Sequence, residues 1–161
     1  ACRFIGARHV VISDINPYRL QLAEKLGIKY TLNAKNQEFS EMMHALKMSN
    51  GFDVGLEMSG APEAFNKLLD AMYHGGHVAL LGFLPPQTEI NWDTVIFKGL
   101  HLKGVYGREV FETWHKMTQL LRSGLDISPI ITHRFPVSEF EQAFEVVHSG
   151  ECGKVILDWE A

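Results

Sequence analysis

The sequence predicts an α/β protein built on a doubly wound parallel sheet. Short apolar runs rich in β-branched residues recur along the 161-residue chain, and amphipathic stretches with helical spacing lie between them. Gly, Pro and Asn punctuate the junctions. Strands that alternate with helices in this way form parallel sheets with helices on both faces.

The elements follow in order. His9-Val10-Val11-Ile12-Ser13 reads as a buried strand. Asn16 caps the next helix and Pro17 suits its first position. Leu20, Leu22, Ala23 and Leu26 give that helix an apolar face, and Gly27 ends it. Tyr30-Thr31-Leu32 is a weaker strand, and residues 39–48 carry Phe39, Met42, Met43 and Leu46 at helical spacing. Residues 52–58 form a third strand, turned by Ser59-Gly60-Ala61-Pro62 into a helix reaching about residue 73. His74-Gly75-Gly76 reads as a turn, and residues 77–83 as a fourth strand. After Pro85-Pro86 comes a short helix over 93–98, then a fifth strand over 100–106. The broken alternation there suggests a sheet edge. A helix over 111–122 is closed by Gly124. From Pro129 the rhythm changes to an extended piece at 133–136, a helix over 137–148 and a closing strand over 153–159.

Composition narrows the function classes. The chain is 46% hydrophobic and 21% charged, an ordinary globular balance, and its net charge of −4 gives no bulk attraction for nucleic acid or an anionic membrane. No apolar run is long enough to span a bilayer, and no secretory signal core opens the chain. Cys2 and Cys152 cannot make a four-thiolate zinc site and read as reduced thiols, so a cytoplasmic location is expected. The eight histidines show no HxxxH pairing, and no GxSxG nucleophile motif occurs. No metal ligand and no catalytic residue is therefore expected within the chain.

The best chemical signal is Val11-Ile12-Ser13-Asp14 followed by Asn16-Pro17-Tyr18-Arg19. An acidic residue closing the second strand of a dinucleotide-binding fold accepts the adenosine ribose hydroxyls. Asp14 suits that role, and a helix-capping role is the bland alternative, although Asn16 fits the cap better. Arg19 either flanks the nucleotide or is a solvated helix residue. An arginine here also suits a 2′-phosphate, but Asp14 would repel one, which favours NAD over NADP. Ligands of open α/β sheets bind beyond the carboxyl ends of the strands. Leu81-Gly82-Phe83 and Val105-Tyr106 lie at two such ends, Gly82 offering close backbone approach. An ordinary strand-to-loop junction is the competing reading for both.

These residues resemble the nucleotide-binding half of the zinc-dependent medium-chain dehydrogenases. The resemblance rests on Gly6-Ala7-Arg8-His9-Val10-Val11-Ile12-Ser13-Asp14 with Tyr18-Arg19-Leu20, and on the stretch Gly51 through Ala61. Val95-Ile96-Phe97-Lys98-Gly99, Val105-Tyr106-Gly107-Arg108-Glu109 and the stretch Gly124 through Phe135 extend it over nearly the whole chain. The likeness is strongest to bacterial members that oxidise the 3-hydroxyl of L-threonine with NAD to 2-amino-3-oxobutyrate. It implies NAD contacts at Asp14, Arg19, Leu81, Gly82, Phe83, Val105 and Tyr106. It also implies a catalytic zinc, acting as a Lewis acid, and a structural zinc. The ligands of both, the proton relay and the GxGxxG loop match no position here.

The resemblance implies a Rossmann-like sheet lacking its first strand and glycine-rich loop, with a truncated NAD-binding domain over residues 1–128. Residues 129–161 would be a segment returning to the catalytic domain. The opening Ala1-Cys2-Arg3-Phe4-Ile5-Gly6, without an initiator Met, reads as the end of a first helix, so the chain is expected to be part of a longer protein. In strand order 3-2-1-4-5-6 the absent strand is central. Its place would be filled by the rest of the protein, by a partner chain or by closure of the sheet. The strand over 100–106 is expected to make a dimer contact within a homotetramer. Rival readings are another medium-chain alcohol or polyol dehydrogenase, an S-adenosylmethionine methyltransferase and a non-catalytic nucleotide-binding module.

The chain alone is expected not to turn over L-threonine. Incubation with L-threonine and NAD, followed by absorbance of the reduced cofactor, checks this. A rate that is a substantial fraction of an intact enzyme's would defeat the expectation.

Overall fold

A computed structural model describes residues 1–107 and 109–160; Arg108, part of the resemblance, and Ala161 lie outside the described residues. The elements are β1 (Val11–Asp14), α1 (Pro17–Lys25), β2 (Tyr30–Asn33), α2 (Phe39–Ala45), β3 (Phe52–Glu57), α3 (Pro62–Ala71), β4 (Met72–Leu80) and α4 (Trp92–Lys98). β5 (His101–Gly104), α5 (Glu112–Arg122), β6 (Ile131–Pro136), α6 (Phe140–Ser149) and β7 (Lys154–Asp158) complete them. Short 3-10 turns at Ser128–Ile130 and Val137–Glu139 flank β6. Every strand pairing is parallel, in the orders β1-β2, β3-β4-β5 and β6-β7. This is the parallel α/β architecture that the alternation predicts. β5 ends its ladder, as its broken alternation suggests.

The chain divides into two compact units. One comprises Ala1–Asn36 and Val110–Ala161, the other Gln37–Glu109. In the first, Leu20 and Ala23 of α1 are buried, as are Leu32 of β2, Ala143 of α6 and Cys152. Asn16 caps α1 through Oδ1, which accepts the Tyr18 N–H at 2.9 Å, and Pro17 takes the first helical turn. The Asn16 amide also donates to the Gly150 carbonyl at 2.9 Å, where α6 ends in the left-handed conformation. Cys2 and Cys152 are both free.

The second unit is organised around α3. Phe65 and Leu69 lie one turn apart on its inner face and pack with Met72 and Val78 of β4. Phe52, Leu68, Leu80, Leu84, Ile90, Val95, Leu100 and Leu102 surround this core. The turn expected at His74-Gly75-Gly76 is absent. α3 passes directly into β4 at Met72, whose backbone is already extended. Burial of Met72 draws the strand start forward, and the glycines become an irregularity within it. The register against β3 shifts between Phe52 and Val54, and Gly75 takes a φ of 76°. The same strand stops at Leu80 rather than residue 83: the Leu81 amide makes the last ladder bond, to the Glu57 carbonyl at 2.8 Å, and the Gly82 amide turns back to that same carbonyl at 3.2 Å instead of extending the pairing.

Lys98, near the end of α4, donates through Nζ to the carbonyls of Leu69 (3.2 Å), Asp70 (2.6 Å) and Met72 (3.0 Å). Leu69 and Asp70 lie in the last turn of α3, where carbonyls run short of intrahelical partners, although the Leu69 carbonyl also accepts the Met72 N–H, and a cation there meets the negative end of the helix dipole. Lys98→Met keeps most of the packing and removes the donors. It is expected to cost roughly 1–3 kcal/mol, read as a lower urea midpoint at constant m-value. An unchanged midpoint would show that water serves the three carbonyls equally well.

Candidate functional site

Asp14 is the last residue of β1, so the parallel ladder delivers it to the carboxyl end of its sheet. Its Oδ1 accepts the Asn16 N–H at 2.8 Å, which ties the strand to the start of α1. Its Oδ2 lies 3.9 Å from the Arg19 guanidinium, a loose pair between a partly exposed carboxylate and a half-exposed cation. Asn16 is the cap of α1, and Asp14 shapes the turn before it. That leaves Oδ2 accessible as an acceptor. Gly150 adjoins this turn: a side chain there would begin 3.1 Å from the Asn16 amide and 3.8 Å from the Arg19 guanidinium.

In the other unit, three strands finish in one row. Glu57 of β3 is the register partner of Leu80 in β4, and Leu80 is the partner of Gly104 in β5. The segments that follow therefore emerge at the same carboxyl end. Leu81 and Val105 are adjacent there, the Val105 amide donating to the Leu80 carbonyl at 2.8 Å. Phe83 and Tyr106 are 85% and 95% exposed, far too open to be core residues. The ladder thus brings Leu81, Gly82, Phe83, Val105 and Tyr106 to one end of one sheet. Asp14 and Arg19 come together in the first unit.

Gly82 has a structural reason to lack a side chain. A Cβ there would collide with the Gly60 amide nitrogen and with Glu57 Oε2. Gly60 in turn has a φ of 70°, and a Cβ on it would meet the Phe83 carbonyl oxygen at 2.6 Å. The close approach that Gly82 permits is thus made first by the protein's own backbone.

Glu57 is the residue that sequence reasoning passed over. It is 4% exposed, the buried charged residue among the described ones. Its Oε1 accepts the Ser59 N–H (2.9 Å), the Ser59 hydroxyl (2.6 Å) and the Gly60 N–H (3.0 Å). The available signal was an acidic residue inside the apolar run Leu56-Glu57-Met58, just before Ser-Gly. Among the described residues no three His, Cys, Asp or Glu side chains converge as metal ligands. Among the described residues no helix is long and apolar enough to cross a membrane.

Residues 1–123 match the family described as zinc-binding dehydrogenase. The L-threonine 3-dehydrogenase of Proteus mirabilis is 57% identical over 159 residues, which are 99% of this chain and 47% of that protein. The chain thus spans about half the length of the curated relatives it matches. In fold it is similar to 2R,3R-butanediol dehydrogenase from Bacillus subtilis, with a TM-score of 0.86 at 18% identity over 98% of this chain and 46% of that one. A protein from Escherichia coli CFT073 described as a short chain alcohol dehydrogenase, solved with NADH, gives a TM-score of 0.84 at 17% identity over 98% and 47% of the two chains. With three quarters of its length matched by the family, the chain belongs to the zinc-binding dehydrogenase family.

Proposed function

We propose that this chain is the NAD-binding part of an L-threonine 3-dehydrogenase, an enzyme that oxidises the 3-hydroxyl of L-threonine to 2-amino-3-oxobutyrate. The observation that carries the reading is Asp14. It closes a parallel strand, gives one oxygen to the Asn16 amide and keeps the other accessible as an acceptor. A ribose diol needs an acceptor of this kind. Identity of 57% to the Proteus mirabilis enzyme supports the substrate assignment, and the NADH-bound neighbour supports the cofactor.

The residues fit the cofactor in a second respect. Leu81, Phe83 and Tyr106 are exposed beside the half-buried Val105 at one carboxyl end, an apolar surface suited to a flat ring. On this reading Asp14 holds the adenosine ribose and Arg19 flanks it. Leu81, Gly82, Phe83, Val105 and Tyr106 support the other nucleotide and exclude water from it. NAD, when bound, accepts the hydride of the substrate carbinol. Zinc is a different matter. The described residues offer it no ligand cluster, so no step through zinc is assigned to this chain.

The rest of the reading concerns the whole protein. Residues 129–161 belong with its catalytic domain, it resides in the cytoplasm, and it assembles as a homotetramer. β5, at the end of its ladder, supports a dimer contact along that edge.

Calorimetric titration of the chain with NAD, NADP and S-adenosylmethionine tests the cofactor assignment. NAD is expected to bind most tightly, since Asp14 repels a 2′-phosphate. Asp14→Asn removes the charge-assisted acceptor and is expected to weaken NAD roughly tenfold while narrowing the gap to NADP. Equal binding of NAD and NADP by the unaltered chain would overturn the assignment. Preferred binding of S-adenosylmethionine would replace it with the methyltransferase reading.

A further inference from the structure

The carboxyl end of the β3-β4-β5 ladder contains a charge that the NAD-binding reading does not use. Oε1 of Glu57 already accepts three donors, which is enough to fix the turn between β3 and α3. A glutamine carbonyl would serve that turn equally well. Oε2 has no hydrogen-bond partner and is buried. It faces Gly82, where any side chain would collide with it. A buried carboxyl oxygen without a donor is costly, typically by roughly 1–3 kcal/mol or more for a charged group. Turn geometry therefore explains one oxygen of Glu57 and leaves the other unexplained.

The main chain of Glu57 is engaged as well as its side chain. Its carbonyl accepts the Leu81 and Gly82 amides. Glu57 thereby fixes the backbone of residues 81–83 from two sides, through its carbonyl and through the Gly60 contact with Phe83. In dinucleotide-binding folds each half of the sheet takes one mononucleotide. If the half containing Asp14 takes adenosine, the half containing Glu57 takes nicotinamide. The nicotinamide ring is cationic when oxidised and neutral when reduced.

We propose that Glu57 is a positioning residue for the nicotinamide half of the cofactor. It fixes the 81–83 backbone, and its unpartnered Oε2 lends that backbone a negative potential favouring the oxidised ring over the reduced one. The inference rests on the NAD-binding reading and adds a redox preference to it. Burial keeps solvent screening of the charge weak, so it acts across several ångströms of protein.

Titration of the 161-residue chain with NAD⁺, NADH and ADP-ribose, the last lacking nicotinamide, provides the test. Glu57→Gln keeps the shape and the Oε1 acceptor and removes the charge. It is expected to weaken NAD⁺ by roughly three- to tenfold and to leave NADH and ADP-ribose within about twofold. Glu57→Asp keeps the charge but withdraws it from Ser59 and Gly60. It is expected to weaken both redox forms together, preserving their ratio. Equal losses for NAD⁺ and NADH in Glu57→Gln would overturn the proposal and reduce Glu57 to a folding role. If that variant does not fold, the Asp variant decides, and a changed NAD⁺ to NADH ratio there overturns the proposal. Failure of the unaltered chain to bind any of the three ligands would instead defeat the NAD-binding reading, and this inference with it.

Discussion

The Glu57 junction joins three chain segments at a single buried point. The carboxylate holds the turn into α3, the backbone carbonyl takes the first two amides beyond β4, and the register row from Glu57 through Leu80 to Gly104 extends the arrangement to β5. Parallel pairing gives such a row its consequence. The strands run in one direction, so whatever follows Glu57, Leu80 and Gly104 appears on one end of the sheet. The exposure of Leu81, Phe83 and Tyr106 follows from this, because the core beneath them is already filled by Phe65, Leu69, Met72 and Val78. Residues that continue an apolar run past the end of a filled core find their remaining partners in solvent, a ligand or another polypeptide segment.

Local chemistry was legible in the sequence where short-range contacts decide the structure. Asn16-Pro17 announces a capped helix because an Asn oxygen two residues from an amide is within reach whatever the tertiary context. The end of β1 at Asp14 was legible for a similar reason, because the cap at Asn16 follows only two residues later. The start of β4 was not. Three residues, His74-Gly75-Gly76, have strong turn chemistry, yet burial of Met72 against α3 outweighs it and the glycines are absorbed as an irregular stretch of strand. The carboxyl end of β4 failed from the opposite cause. Leu81-Gly82-Phe83 has strand composition, but after the last ladder bond from Leu81 the Gly82 amide turns back to the same Glu57 carbonyl, which is distant in sequence. The role of Glu57 was invisible for the same reason. A lone carboxylate in an apolar run gains its meaning from Gly60 and Gly82, and only the folded ladder brings Gly82 to it.

Asp14 and Glu57 turn out to be two uses of one local device. Each is the last residue of a parallel strand, each accepts the amide two residues on (2.8 and 2.9 Å), and each precedes a helix opened by proline. The difference lies in what surrounds the second carboxyl oxygen. Asn16 takes over the capping of α1, so Asp14 Oδ2 remains accessible beside a half-exposed cation, Arg19. After Glu57 no side chain caps α3, and the longer carboxylate also reaches the Gly60 amide, which draws it inward until Gly82 closes over it. One extra methylene and a glycine just beyond the neighbouring strand thus convert an acceptor for solvent-side hydroxyls into a fixed internal charge. The first arrangement suits direct recognition of a ribose. The second cannot touch a ligand without disrupting the junction, so any influence it has on a bound nucleotide must be electrostatic or transmitted through the backbone it holds.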